Sequence, residues 1–284
     1  MTYIEQAVIL FFLFVFGSFV GSFLNVCIYR LPRGKSLAKP ARSYCPICHE
    51  TIAWHDNIPL FSYFALGRMC RRCGSLISPR YFIVELLTAI GFVAIFLALW
   101  RRQESPAVIT VYLILFSMLV VSSFIDLELR IIPDEITIGG IFLVPIISLL
   151  VPALHNVPQY GRDLFIFHDS PRLGALCACL LGMAVGAFLI YATGVAGKLI
   201  FRKEAMGMGD VKFIAVIGGL LGWKLVVLVF FVAPVIGSVV GIIVLLKSRD
   251  HHIPYGPFLS LATVIVMLFG GEILRMLTVT LVPA

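Results

Sequence analysis

Long apolar runs alternate with short polar segments along the whole chain. A helix needs roughly 20 mainly apolar residues to cross a bilayer, and eight runs approach that length. They lie at residues 7–29, 81–100, 108–125, 136–154, 173–194, 211–222, 225–246 and 258–281. The sixth run is short, and only Gly222-Trp223-Lys224 separates it from the seventh, so seven spans are an open alternative. The pattern predicts an all-α polytopic membrane protein of about eight transmembrane helices.

Composition and charge support this interpretation. The chain is 60% hydrophobic and 13% charged, whereas soluble domains are about half apolar and about a quarter charged. If residues 30–80 lie in the cytoplasm and later segments alternate sides, the cytoplasmic segments hold 16 Lys and Arg against 6 on the other side. This bias agrees with the positive-inside rule. The net charge of +7 is then a topology signal, and we expect a lipid bilayer and no nucleic acid as partner.

The amino-terminal segment lacks the features of a cleaved signal. Residues 1–6 contain no Lys or Arg, and no small-residue cleavage site follows the first apolar run. We therefore expect residues 1–29 to form an uncleaved first span with the amino terminus outside. Residues 30–80 form a cytoplasmic loop domain, and residues 81–284 form a multi-span membrane domain.

The loop domain contains two cysteine pairs, Cys45-Pro46-Ile47-Cys48 and Cys70-Arg71-Arg72-Cys73. Two such knuckles supply four thiolates, enough to close a tetrahedral zinc site. Two disulfides are the competing interpretation, but a reducing cytoplasm disfavours them. A segment of about 50 residues with few apolar side chains needs a staple to hold a fold. We therefore expect a structural zinc ion in a zinc-ribbon-like loop domain.

Two acids occupy matching places in the membrane segments. Asp126 follows the third run without a break, so we expect it on that helix, and Asp210 directly precedes the sixth run. The third run travels inward and the sixth outward, so both acids lie on the cytoplasmic side. The sixth run rises only about 18 Å as a helix, against roughly 30 Å of hydrocarbon, so Asp210 is expected to be recessed. Gly207 and Gly209 make a regular helix unlikely before Asp210, and irregular backbone is tolerated where it lines a wet cavity.

Paired carboxylates at membrane depth suggest acid–base chemistry. In peptide hydrolysis one ionised acid activates water while the other, protonated, polarises the carbonyl. No serine or cysteine with an adjacent base and no His-Glu-x-x-His motif is evident, so an intramembrane aspartyl protease is the strongest enzymatic interpretation. The leading rival is a transporter that uses Asp126 and Asp210 as proton-coupled ligands, although no inverted repeat is apparent. A non-enzymatic scaffold with a docking zinc loop is a third interpretation.

Other polar residues near the predicted cytoplasmic side are less specific. Asn25 can bond to a neighbouring helix or contact a substrate or cofactor. Glu85 can pair with a basic neighbour or serve a pocket. A solvated loop is the simplest interpretation of Glu128, Asp134 and Glu135, and the last two also suit the first turn of the fourth span.

Seven motifs, taken in order along nearly the whole chain, resemble those of the type IV prepilin peptidases, the prepilin leader peptidase/N-methyltransferases of pilus and type II secretion systems. The motifs are Gly21-Ser22-Phe23-Leu24-Asn25-Val26, the two Cys-x-x-Cys pairs, Asn57-Ile58-Pro59, Arg80-Tyr81 with Glu85, Asp126 with Ile132-Pro133-Asp134, Gly207-Met208-Gly209-Asp210-Val211-Lys212, and Tyr255-Gly256-Pro257-Phe258.

The resemblance implies two reactions on the cytoplasmic side of the bacterial inner membrane. One is cleavage of a short basic leader from prepilins and pseudopilins, and the other is S-adenosylmethionine-dependent methylation of the new amino terminus. It implies that Asp126 and Asp210 are the protease pair. Gly207, Gly209 and Lys212 support the second acid as parts of its motif. Candidates for methyl transfer or substrate binding are Asn25 and Glu85, and a protease without methyltransferase activity is the alternative.

Overall fold

The computed structural model describes residues 3–40, 42–155, 170–202, 206–247 and 254–281. These residues form nine α-helices, with no strand among them apart from two isolated bridges in the cysteine segment. The helices are α1 (Tyr3–Arg30), α2 (Phe61–Ala65), α3 (Pro79–Arg101), α4 (Pro106–Leu129), α5 (Asp134–Leu150), α6 (Pro171–Phe201), α7 (Met208–Leu221), α8 (Trp223–Lys247) and α9 (Gly256–Leu281). Each of the eight apolar runs corresponds to one helix, which confirms the all-α prediction for the described residues.

Several helix ends follow directly from local sequence. The dipeptides Ser78-Pro79 and Ser105-Pro106 begin α3 and α4, with the serine hydroxyl accepting a hydrogen bond from a backbone N–H of the first turn. Proline suits this position because its fixed φ is helical, and because an N–H in the first turn would have no partner within the helix in any case. Helix α5 ends at Leu150, earlier than the predicted residue 154, because Pro152 opens a short 3₁₀ turn.

Six helices in the described part of the chain are long and apolar enough to cross a membrane, namely α1, α3, α4, α6, α8 and α9. This makes the chain a multi-pass membrane protein. Helices α5 and α7 have 17 and 14 residues, short of the roughly 20 that a perpendicular span needs. The predicted count of about eight spans is therefore not confirmed.

The chain divides into two compact units. The first contains Met1–Gln103 and Tyr112–Phe124, and its main helix contact is between α1 and α3. A Cβ atom added at Gly21 would lie 2.7 Å from the Glu85 Cα, closer than real atoms approach. Glycine at this position therefore lets the two helix backbones touch.

The second unit contains Glu104–Val111 and Ile125–Ala284. Helix α7 is its centre, since α5, α6, α8 and α9 all contact it, and every residue from Phe213 to Leu221 is buried. A Cβ at Gly182 of α6 would overlap the carbonyl oxygen of Gly218 on α7, so these two backbones also touch. Helix α7 is therefore enclosed by other helices from Phe213 to its end.

Candidate active site and metal centre

Asp126 lies in the last turn of α4, as predicted, and is 6% exposed. Its carbonyl oxygen accepts a hydrogen bond of 2.9 Å from Arg130, whose left-handed conformation ends the helix. Its carboxylate Oδ2 accepts a hydrogen bond of 2.8 Å from the N–H of Gly256, the first residue of α9. A helix amino terminus carries partial positive charge and unpaired N–H groups, so α9 holds this carboxylate in a defined orientation.

Asp210 lies in the first turn of α7, not after an irregular Gly-Met-Gly loop, so the sequence prediction was wrong here. The helix begins at Met208, and only Gly207 has extended backbone, as its N-cap. The Asp210 carboxylate accepts a hydrogen bond from the Gly207 N–H, which is the side-chain-to-cap half of a capping box. This bond and the favourable position of an acid in a first turn offset the low helix propensity of Gly209.

The two predicted acids are close enough that the Asp126 charge acts on Asp210. Both belong to the second compact unit, although α4 and α7 are far apart in sequence. A Cβ atom added at Gly209 would lie 3.4 Å from the Ile132 Cβ, which is an ordinary van der Waals contact. The first turn of α7 therefore packs against the segment that follows α4.

Lys212 and Asp134 form an ion pair of 2.7 Å between Nζ and Oδ1. The pair connects the first turn of α7 to the first turn of α5, and the Asp134 side chain is 63% exposed, so it is also solvated, as the sequence suggested. Both acids predicted for the first turn of α5, Asp134 and Glu135, do lie there.

Tyr255 is a residue of this site that sequence reasoning did not single out. It immediately precedes Gly256, and the charge of Asp210 acts on its ring hydroxyl. The hydroxyl oxygen is buried and has no hydrogen-bond partner among the described residues. Burial and, to a smaller extent, the Asp210 charge raise the pKa of Tyr255 to about 12, so the hydroxyl keeps its proton at neutral pH. The sequence feature that could have identified Tyr255 is its place in the motif Tyr255-Gly256-Pro257-Phe258.

The four cysteines of the loop domain converge, as predicted. Their sulfur atoms all lie within 4.8 Å of one another, and the cysteines are free thiols rather than disulfides. The Sγ atoms of Cys45 and Cys73 are 3.9 Å apart, and tetrahedral zinc with bonds of about 2.3 Å requires a sulfur separation of about 3.8 Å. The cluster therefore fits a single metal ion.

The two knuckles have the same backbone geometry. In the first, the Cys45 carbonyl accepts from His49 and the Cys45 N–H donates to Glu50; in the second, Cys70 makes the same bonds with Gly74 and Ser75. Burial opposes ionisation of Cys45, but the N–H groups of Cys48 and Ile47, together with hydrogen bonds from the Ser75 hydroxyl and the Cys48 thiol, outweigh it and lower the pKa of this thiol to about 6. Such donors stabilise the thiolate that a metal requires.

Asn25 and Glu85 are both buried in the first compact unit. The Asn25 amide nitrogen donates to the carbonyl oxygens of Gly21 and Tyr81, while its Oδ1 has no partner among the described residues. Glu85 Oε2 accepts a hydrogen bond of 2.8 Å from the N–H of Leu60. Leu60 has a φ of 64°, rare for a residue with a side chain, so Glu85 holds a strained turn.

Comparison with known proteins places this helical membrane chain among peptidases. Residues 15–99 match the bacterial peptidase A24 N-terminal domain, and residues 113–242 match the type IV leader peptidase family. The chain belongs to the type IV leader peptidase family, which confirms the resemblance. No solved structure matches it.

Several curated relatives carry the name prepilin leader peptidase/N-methyltransferase. The one from Myxococcus xanthus is 40% identical over 84% of this chain and 63% of its own length. The one from Aeromonas hydrophila is 33% identical over 92% of this chain and 91% of its own length. The one from Pseudomonas aeruginosa is also 33% identical, over 91% and 90%. The last two relatives align with this chain almost from end to end.

Proposed function

We propose that this protein hydrolyses the leader peptide bond of type IV prepilins and pseudopilins, with Asp126 and Asp210 as its catalytic pair. The observation that carries the proposal is the proximity of two acids, each near the end of a different helix, in a chain of the leader peptidase family. The names of the relatives supply the substrate class.

In the proposed mechanism the two carboxylates share one proton, because two like charges brought together at one scissile bond do not both ionise. The ionised acid accepts a proton from water as the water oxygen attacks the scissile carbonyl carbon. The protonated acid gives its proton to the carbonyl oxygen, which produces a tetrahedral gem-diol. As the C–N bond breaks, the first acid passes the proton that it took from water to the leaving amine, and a hydroxyl of the gem-diol returns a proton to the second acid. Hydrogen bonds from Gly256 to Asp126 and from Gly207 to Asp210 hold both carboxylates in place, which lowers the entropic part of the barrier.

We also propose that the protein methylates the amino terminus released by cleavage. S-adenosylmethionine would supply the methyl group. In the first compact unit, the Asn25 Oδ1 is a buried acceptor that can orient an N–H of the released amino terminus. Glu85 supports the turn at Leu60 by accepting a hydrogen bond from its N–H. Methyl transfer depends mainly on positioning, which suits residues that orient rather than ionise.

The metal is proposed to be structural zinc, bound by the four cysteines. It would hold residues 30–80 together as a small cytoplasmic domain. In the sequence this domain follows a first span within residues 1–29 and precedes a membrane domain within residues 81–284. We propose the bacterial inner membrane as the location, with the amino terminus outside and the acids on the cytoplasmic side. Helices α5 and α7 would bring the number of membrane segments to eight.

The decisive experiment compares Asp126→Asn and Asp210→Asn in a leader cleavage assay with purified protein. Each should lower kcat on the order of a thousandfold or more, because an amide cannot exchange the shared proton. Glu128→Gln is the matched control, since it neutralises an exposed acid of the same helix two residues away. Near-normal cleavage by either Asn variant would remove the pair from the mechanism.

A second assay separates the two reactions. Asp210→Asn protein is given pilin that has already been cleaved, together with labelled S-adenosylmethionine. Label on the terminal amine at a level close to wild type supports separate sites. Loss of methylation equal to the loss of cleavage, in folded protein, would show that the two reactions share one site.

A further inference from the structure

The dipeptide Tyr255-Gly256 contacts or influences both acids of the proposed catalytic pair. The Gly256 N–H binds Asp126 Oδ2 at 2.8 Å, and Tyr255 lies within the electrostatic influence of Asp210. The Tyr255 carbonyl accepts hydrogen bonds of 3.1 Å from the N–H groups of Phe258 and Leu259. The backbone of Tyr255 is therefore anchored at the start of α9, next to the residue that binds Asp126, while the charge of Asp210 acts on its side chain.

The Tyr255 hydroxyl is one of several buried side-chain polar atoms without a hydrogen-bond partner among the described residues. The large majority of buried side-chain polar atoms in proteins have a partner, and an unpaired one costs roughly 1–3 kcal/mol. Phenylalanine would fill the same volume without this cost. A tyrosine at this position therefore needs a reason other than the stability of the fold.

Peptide hydrolysis brings a suitable acceptor to this location. The scissile carbonyl oxygen must lie near both carboxylates, and it gains electron density as water attacks. A preorganised neutral donor that is excluded from water stabilises this developing charge strongly. The hydroxyl of Tyr255 is such a donor, because it remains protonated at neutral pH.

We propose that Tyr255 is a third catalytic residue, whose hydroxyl donates a hydrogen bond to the scissile carbonyl oxygen in the transition state. The inference rests on the proposed function, in which Asp126 and Asp210 carry out the proton transfers. Tyr255 itself transfers no proton: water adds to the carbonyl, the two acids move the protons, and the products are a carboxylic acid and an amine. The phenol stabilises the oxygen throughout and is unchanged at the end.

The test is Tyr255→Phe, measured for kcat and KM in leader cleavage and for melting temperature. Loss of one such donor lowers kcat by about 100- to 1000-fold, and KM should change little because the bond strengthens only in the transition state. The melting temperature should stay the same or rise, because the variant removes an unpaired buried hydroxyl. Tyr191→Phe on α6 is the matched control, since Tyr191 is 54% exposed, and it should behave as wild type.

A purely structural role gives the opposite result. If Tyr255 only stabilises the fold, Tyr255→Phe lowers the melting temperature by more than about 5 °C or fails to fold, and either outcome overturns the proposal. Asp126→Asn is measured in parallel to separate this inference from the proposed function. Cleavage by Asp126→Asn refutes the acid pair, whereas an inactive Asp126→Asn beside a normal Tyr255→Phe refutes only the role of the tyrosine.

Discussion

Replacing Gly256 with alanine tests how strictly the site positions Asp126. An added Cβ would lie 2.7 Å from Asp126 Oδ2 and 3.2 Å from its Cγ. Ordinary contact begins at about 3.4 Å, so the carboxylate or the start of α9 must move by about 0.7 Å. Asp126 is buried at the end of α4, and movement away from α9 stretches its hydrogen bond of 2.8 Å.

The expected effect follows from this displacement. A misplacement of about 1 Å in a reacting group costs about 100-fold in rate, so Gly256→Ala should lower kcat by roughly 30- to 100-fold. Alanine gains up to about 1 kcal/mol in helix propensity over glycine, which offsets only part of the roughly 1–3 kcal/mol of overpacking. The variant should therefore lose up to about 2 kcal/mol of stability.

The assay measures leader cleavage by purified Gly256→Ala protein, with methylation of a pre-cleaved pilin as the check that the chain is folded. Gly139→Ala on α5 is the matched control, because nothing lies within 4 Å of a Cβ at that position. It should cleave at the wild-type rate. A Gly256→Ala variant with wild-type kcat would show that the contact between α9 and Asp126 does not position the catalytic group.

Two further predictions concern the metal and the partly buried His155. Elemental analysis should find one zinc per chain. A single cysteine-to-serine change in the cluster should release the zinc and expose residues 30–80 to protease while the membrane helices persist, because an incomplete shell loses much of the folding energy of the metal. Zinc-free protein that resists protease as well as the wild type would refute this prediction. Burial lowers the pKa of His155 to about 4, against about 6.5 in an unfolded chain, so the unfolded state takes up the proton first as pH falls. The stability contributed by neutral His155 is complete above about pH 6.5 and is lost toward pH 4, on the order of 2 kcal/mol by pH 5. A melting series from pH 7 to 5 should therefore show a smaller fall for His155→Gln than for wild type, and equal falls would contradict it.

Local sequence determined most of the secondary structure, because its causes are local. The length of the apolar runs and the Ser-Pro starts of α3 and α4 are readable without a fold. The cysteine cluster was equally accessible, since two Cys-x-x-Cys knuckles have few uses other than a metal site. Asp126 stood out because an acid at the end of a membrane helix is costly and seldom incidental.

The start of α7 shows where local reasoning failed. Two glycines before Asp210 predicted irregular backbone, yet helix begins at Met208. Helix propensity is a weak prior that tertiary packing overrides. Here the first-turn position of Asp210, its hydrogen bond from Gly207 and the packing of the helix from Phe213 onward favour a helical start.

The arrangement of the site was decided by tertiary structure alone. The sequence determined that this is a helical membrane protein with two noteworthy acids and four cysteines. It did not determine that the start of α9 donates to Asp126, that Lys212 pairs with Asp134, or that the Tyr255 hydroxyl is buried without a partner among the described residues. These contacts join residues distant in sequence through the packing of helices around α7, and no periodicity or spacing within one segment encodes which helix ends meet.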